Sequence, residues 1–287
     1  MKHLFLLKAT KQHHEFASKI PPLMQGYDYQ IIYTHSVKEM QNTILQLKDP
    51  SRLYIVGGDG TLHALIQVCV HTPHEVVVVP LGTGNDFNRC LTQQKDPYQI
   101  IKQSLTLNSH PIDTVLVNDQ YYINAACFGV DSVIANHVHD THKTSLIPES
   151  SSYLVSIMKH IFTYPYYPIQ LYIQDQCVYE GPITLCTLNN GRYYGGGFLI
   201  TPQSQIDDGY IDICIVDQVP HHKIPYLFSL LITHHIKHRP ELHYYKVKEA
   251  TIISQHSSNL DGERYKSDTY HFKIQPQSLH LVYPKKP

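Results

Sequence analysis

The sequence has no excess of charge of either sign: 23 Lys and Arg stand against 24 Asp and Glu, a formal net charge of -1. Such a chain has no global field with which to gather polyanions, so no nucleic-acid partner is expected, and any attraction to a membrane must come from a local patch. There is also no run of about 18 apolar residues, the length that a membrane-spanning helix needs. The apolar stretch in the opening MKHLFLLKATK is too short for a signal-peptide core. Cys69, Cys90, Cys127, Cys177, Cys186 and Cys214 lie far apart and form no C-x-x-C pair. That spacing excludes the usual zinc and thiol-redox arrangements and predicts buried thiols in a reducing cytoplasm. The G-x-x-x-x-G-K-S/T signature of a P-loop is missing as well. These absences predict a cytoplasmic protein without a transmembrane segment, seated at most peripherally on the inner membrane surface.

What the chain does contain is enough apolar residue for a substantial core. With 42% hydrophobic and 16% charged residues it has a globular composition, and 287 residues exceed the usual domain of about 100 to 200, which predicts two domains sharing a cleft. Histidine is abundant, at 21 residues, so mild acid would make the surface cationic below about pH 6.5.

The first third alternates short apolar runs with helical spacing. His3 to Leu7, Tyr29 to Tyr33, Leu53 to Val56 and Val76 to Val79 are predicted strands; Val37 to Leu47, Leu62 to Val70 and Asp86 to Leu91 are predicted helices. Strands separated by helices imply a doubly wound, mostly parallel sheet, which binds ligands at the carboxyl ends of its strands. From about Tyr121 the texture changes to alternating runs rich in Tyr, Ile, Val and Thr, including Ile169 to Tyr179, Ile183 to Asn189, Tyr210 to Val216, Tyr244 to Gln255 and Tyr270 to Tyr283. These predict an antiparallel β-sandwich. The expected division is a nucleotide-binding domain over residues 1–118 and a sandwich over 119–287. Two helical interruptions, Ser151 to Phe162 and Lys223 to Ile236, run into aromatic and His-rich segments that suit either a lipid-facing edge or packing against the sandwich.

The chemistry concentrates in two turns. Leu53 to Val56 leads directly into Gly57-Gly58-Asp59-Gly60-Thr61, and a strand, a glycine turn and a helix start together make an anion site, because free N–H groups and the helix dipole converge. Thr61 can cap the helix or bond a phosphate, and Asp59 can hold magnesium through water. A second turn, Pro80-Leu-Gly-Thr83-Gly84-Asn85-Asp86-Phe87, follows the next strand and would face the same cleft, although Asp86 also suits a helix first turn.

Gly57 to Thr61 with Pro80 to Phe87 resembles the bacterial diacylglycerol kinases, a family that also includes sphingosine and ceramide kinases. The likeness continues through Asn124-Ala-Ala-Cys-Phe-Gly129-Val-Asp131, Asn190-Gly-Arg-Tyr-Tyr-Gly-Gly-Gly197, Pro202, Asp207-Asp-Gly-Tyr-Ile-Asp212 and Asp261-Gly262-Glu263. The resemblance implies a first domain of the NAD kinase and phosphofructokinase type over a β-sandwich, with ATP and Mg2+ as cofactors and a lipid hydroxyl at a membrane surface as acceptor. It implies nucleotide contacts at Thr34, at Gly57 to Thr61 with Leu62 and His63, and at Thr83 to Asp86. It further implies a magnesium site on Gln205, Asp208 and Tyr210, with Gln205 and Tyr210 giving backbone carbonyls, and a catalytic base at Glu263, with Asp261 as the alternative. Two departures from the family pattern stand out: Leu7-Lys-Ala-Thr-Lys11 replaces the usual first loop, and His63-Ala64 replaces an Asn-Glu pair.

Diacylglycerol leads among acceptors, beside phosphatidylglycerol, undecaprenol and sphingoid or ceramide lipids, because only the hydroxyl meets the chemistry. A soluble NAD or sugar-phosphate kinase, or a nucleotide-binding regulator without catalysis, would share the glycine turns but not the full set of carboxylates. His234 with His238 and His71 with His74 have helical spacing but no carboxylate partner in sequence, so they are expected to be surface residues and not metal ligands. A homodimer through sheet edges is compatible with this pattern.

Overall fold

The computed structural model describes residues 1–82, 85–129, 165–195, 197–232 and 239–284. Its first third runs β1 (Lys2–Lys8), α1 (Lys11–Ala17), β2 (Tyr29–Thr34), α2 (Val37–Leu45), β3 (Ser51–Gly57), α3 (Asp59–Cys69), β4 (Glu75–Pro80), α4 (Asp86–Leu91) and α5 (Pro97–Ser104). The four strands are parallel in the order β2-β1-β3-β4. Inner strands such as β3 are buried along nearly their whole length, so they show an unbroken apolar run and not alternation. Met40 and Ile44 of α2 and Leu62, Leu65 and Ile66 of α3 cover one face; Phe16 and Ala17 of α1 and Ile100 and Ile101 of α5 cover the other. Helices on both faces make this part doubly wound.

The sequence patterns missed α1 and α5. KQHHEFA has too few apolar residues to show a period, but Thr10 caps it, its Oγ1 accepting the His13 N–H (3.4 Å). Asp96 and Pro97 begin α5 in the same local way, with Asp96 Oδ1 accepting the Tyr98 N–H (2.9 Å).

The remainder is antiparallel: β5 (Ser109–Val117), β6 (Gln120–Tyr122), β7 (Ala125–Gly129), β8 (Tyr167–Ile173), β9 (Gln176–Asn189), β10 (Tyr193–Tyr194), β11 (Phe198–Leu199), β12 (Ile211–Asp217), α6 (Ile224–Ile232), β13 (Leu242–Val247), β14 (Glu249–Ile253), β15 (Ser258–Leu260), β16 (Glu263–Tyr265) and β17 (Thr269–Val282). Val115, Phe128, Leu171, Ile213, Ile252, Tyr270 and Phe272 are among the residues of its core. The predicted helix over Ser151 to Phe162 and the segment His234 to His238 lie outside the described residues. Among the described residues no helix is long and apolar enough to cross a membrane.

Two 14-residue strands hold the molecule together by changing partners along their length. β9 pairs with β8 over its first half, then with β7 on one edge and β12 on the other. β17 starts beside β14, follows β5 on its other edge, and ends parallel to β4, with His280 opposite Glu75 and Leu281 opposite Val76. The last strand of the chain therefore completes the sheet that the first residues began. The register of β17 slips between Gln275 and Leu279, and Asp113 pins the slip by accepting the Gln277 N–H at 2.8 Å.

Candidate functional site

β3 delivers Gly57 and Gly58 to the carboxyl end of the sheet, and α3 starts at once. Its first residue is Asp59, three positions earlier than the apolar spacing predicts, because Asp59, Gly60 and Thr61 are not part of the apolar stripe. The Thr61 and Leu62 N–H groups both bond the Gly58 carbonyl, at 3.0 and 3.2 Å. The first-turn N–H groups at Asp59 and Gly60 therefore sit at the positive end of the helix. Thr61 is buried with its hydroxyl against Gly57, where a Cβ would stand 2.6 Å from Oγ1.

The second turn packs backbone to backbone against the first. A Cβ on Gly82 would lie 3.0 Å from Gly58 Cα and 3.3 Å from Gly58 N, and the Leu81 N–H bonds the Gly57 carbonyl at 3.1 Å. Thr83 and Gly84 lie outside the described residues. Asn85 takes a left-handed conformation (φ 50°), its side-chain amide donates to the Gly82 carbonyl, and α4 begins behind it.

Asp59 joins the two turns. Its Oδ2 accepts the Asp86 N–H (3.1 Å) and its Oδ1 the Phe87 N–H (3.4 Å), so one carboxylate caps α4 from the neighbouring loop. Burial is the largest influence on this carboxyl and raises its pKa, against the two N–H bonds that lower it. Asp86 in turn accepts from Arg89 Nη1 at 2.9 Å, and Gly197 lets the guanidinium through, since a Cβ there would overlap it. Arg89 is the cation beside the turns that sequence reading did not single out; its i, i+3 spacing from Asp86 on a short helix was the available signal.

Asp261, Gly262 and Glu263 form the tight turn between β15 and β16, with φ 49° at Asp261 and 98° at Gly262. The two carboxylates of this turn have different surroundings. Asp261 is buried and accepts three backbone N–H bonds, from Ile123 (2.8 Å), Asn124 (2.9 Å) and Ala125 (3.0 Å). His63 Nδ1 stands 3.5 Å from its Oδ2, so the His63-Ala64 departure places an imidazole against this clamp. Glu263 is exposed, and its Oε1 lies 3.0 Å from where a Cβ on Gly60 would stand. The absence of a side chain at residue 60 thus lets a carboxylate from near the end of the chain reach the start of α3.

The other expected site residues fall in two places. Thr34 is buried at the end of β2, its hydroxyl donating to the Leu7 carbonyl at 3.3 Å, and Leu62 belongs to the core, leaving only its backbone for a ligand. Gln205, Asp208 and Tyr210 lie on the loop entering β12, with Gln205 and Tyr210 exposed. Asp208 Oδ1 accepts the Tyr210 N–H (3.1 Å), and Oδ2 is 2.6 Å from Lys246 Nζ. Oδ2 is thus occupied by the Lys246 ammonium, so a divalent ion could take this carboxylate only by displacing a positive charge already paired with it. No group of three or more His, Cys, Asp or Glu side chains among the described residues is arranged to hold a metal. His74 is buried and not on the surface as expected, its Nδ1 accepting the Ser51 N–H at 3.2 Å.

The diacylglycerol kinase catalytic domain model matches residues 7–117, and the YegS C-terminal NAD kinase beta sandwich-like domain model matches residues 124–283. A probable lipid kinase YegS-like of Shewanella frigidimarina is 26% identical over 241 residues, covering 81% of this chain and 76% of that protein. A diacylglycerol kinase of Staphylococcus carnosus is 28% identical over 221 residues, covering 75% and 71%. The fold is that of a crystal structure of a diacylglycerol kinase from Bacillus anthracis (TM-score 0.76, 21% identity, 99% and 97% covered). It is also, more distantly, that of an NAD kinase from Archaeoglobus fulgidus solved with ATP (TM-score 0.55, 13% identity, 99% and 94% covered). With family models matching both halves, over a site in which Glu263 of the antiparallel half approaches Gly60 of the first glycine turn, the chain belongs to the YegS-like, diacylglycerol kinase-related family of lipid kinases.

Proposed function

We propose that the protein transfers the γ-phosphate of ATP to the hydroxyl of diacylglycerol at a membrane surface, giving phosphatidic acid and ADP. The observation that carries this reading is the approach of Glu263 to Gly60, which brings a carboxylate to the N-terminus of α3 beside the Gly58–Gly82 contact. The phosphates bind at the first-turn N–H groups of α3, where glycine permits close backbone approach. Glu263 takes the proton of the acceptor hydroxyl as its oxygen attacks the γ-phosphorus; the bond to the β-phosphate oxygen breaks and ADP leaves with that electron pair. Arg89, held by Asp86, adds positive charge to a site that must accommodate a polyanion. Magnesium arriving with the nucleotide would neutralise phosphate charge. Asp261 has no part in proton transfer in this scheme, because its oxygens hold the Ile123 to Ala125 backbone. The glycine turns with their nucleotide contacts belong to a domain over residues 1–118, and the acceptor is brought by a sandwich over 119–287, whose last strand β17 returns to pair with β4.

The test is transfer of label from γ-labelled ATP, with magnesium, into diacylglycerol in mixed micelles, beside parallel reactions holding phosphatidylglycerol, undecaprenol, sphingosine or NAD. Label in diacylglycerol is the expected result. Label in another lipid alone corrects the acceptor, label in NAD alone replaces the lipid reading with a soluble one, and no label in any reaction overturns the proposal.

A further inference from the structure

The loop entering β12 carries more negative charge than its backbone can hold. Asp207, Asp208 and Asp212 follow one another closely, and Asp113 faces them from β5, its Oδ2 accepting the Gly209 N–H at 2.6 Å. Its other oxygen accepts the Gln277 N–H, so Asp113 is held by backbone on both sides. Asp212 is buried, with Ser204 and Gln203 as hydrogen-bonding neighbours of its carboxylate. Two neighbouring carboxylates, one of them buried, favour a positive charge nearby.

The protein supplies that charge from the adjacent strand. Lys246 on β13 stands directly opposite Asp212 on β12 in the antiparallel register, so the two side chains share a face. From there its ammonium reaches Asp208 Oδ2 at 2.6 Å, and the Asp208 side chain is only 18% exposed. The same ammonium lies 5.4 Å from the centroid of the Tyr210 ring, and Lys248 Nζ lies 5.5 Å from it on the same tyrosine. A divalent ion bound to Asp208 and the Tyr210 carbonyl would have to displace the Lys246 ammonium from Asp208, since like charges at a few ångströms in a partly buried site repel strongly.

We infer that in this chain the Lys246 ammonium, and not a divalent metal ion, is the resident cation of the Asp207–Asp212 loop, paired with Asp208 and standing across the strands from Asp212. The loop is thereby tied to β13 through Lys246 and to β5 through Asp113. Its folding needs no metal, and any magnesium requirement of the protein belongs to the nucleotide.

The experiment is thermal unfolding of the full chain without nucleotide or lipid, in chelator and in millimolar magnesium, with magnesium titration calorimetry under the same conditions. The unsubstituted protein is expected to show the same Tm in both buffers and no magnesium binding. Lys246→Met is expected to lower the Tm in chelator by about 3 °C, the scale of a half-exposed ion pair in a chain of this size, and Lys246→Arg to keep most of it. A Tm of the unsubstituted protein several degrees higher in magnesium, or one equivalent of magnesium bound to it, overturns the inference. So does a Lys246→Met variant as stable as the parent, or a Lys246→Arg variant that loses as much as Lys246→Met. Because the assay contains neither ATP nor acceptor, its outcome is independent of the proposed reaction.

Discussion

Asp261 and Glu263 are two residues apart and carry the same functional group, yet their environments assign them different work. Three backbone N–H bonds hold Asp261 as a buried clamp on Ile123 to Ala125, while Glu263 is exposed and lies over Gly60. Replacing each in turn separates the roles. Glu263→Gln is expected to lower turnover by about 100-fold or more with ATP affinity and Tm near those of the parent, as loss of a general base does. Asp261→Asn cannot accept all three N–H bonds in the same way and is expected to lower the Tm by several degrees. Steady-state kinetics and calorimetry on the two variants check both; a Glu263→Gln enzyme with full turnover would remove the base from this residue. Asp-Gly-Glu is visible in the sequence, but the division of labour is not, because the partners of Asp261 lie about 140 residues away in the chain.

At the scale of elements, β17 decides more than its pattern suggested. Alternation over Tyr270 to Tyr283 identifies a strand of the antiparallel half, and its first residues do pair there with β14. Its last residues pair parallel to β4, and Leu279 and Leu281 are fully buried with Leu53, Leu65 and Val76 in the core of the parallel half. Leu281→Ala is therefore expected to cost about 2 to 5 kcal/mol, in one cooperative transition that melts both halves together. Denaturant unfolding followed by far-UV and near-UV signals tests this, and two separated transitions would show that β17 does not couple the halves. The start of α3 was also displaced from expectation. Hydrophobic spacing marks where a helix becomes buried, whereas its first turn is set by backbone hydrogen bonding to Gly58, which leaves no apolar signature.

For the molecule as a whole, the many histidines suggested a surface that becomes cationic in mild acid. Several are instead inside. Burial lowers the pKa of His3, His13, His74 and His256, in each case as the largest cause. In the unfolded chain these imidazoles protonate at about 6.5, while in the folded protein they take up the proton only at lower pH, so their contribution is intact above about 6.5 and stability falls as pH drops below it. Burial raises the pKa of Asp59, Asp113 and Asp212, which has the opposite sign and offsets part of the loss nearer the ordinary aspartate value. Calorimetry is expected to show a Tm several degrees lower at about pH 5.5 than at about pH 7.5, and an unchanged Tm would mean that these histidines do protonate in the folded state. The two textures, the parallel strands, the two glycine turns and the candidate carboxylates are legible before folding, because each is written in neighbouring residues through period, turn chemistry and composition. The tertiary structure alone decided that Asp59 caps α4, that Glu263 and not Asp261 faces Gly60, that Lys246 meets Asp208, and that β17 closes the first sheet. Those are contacts between residues tens to hundreds of positions apart, and nothing in local hydrophobic period or turn preference encodes which distant strand a given residue will face.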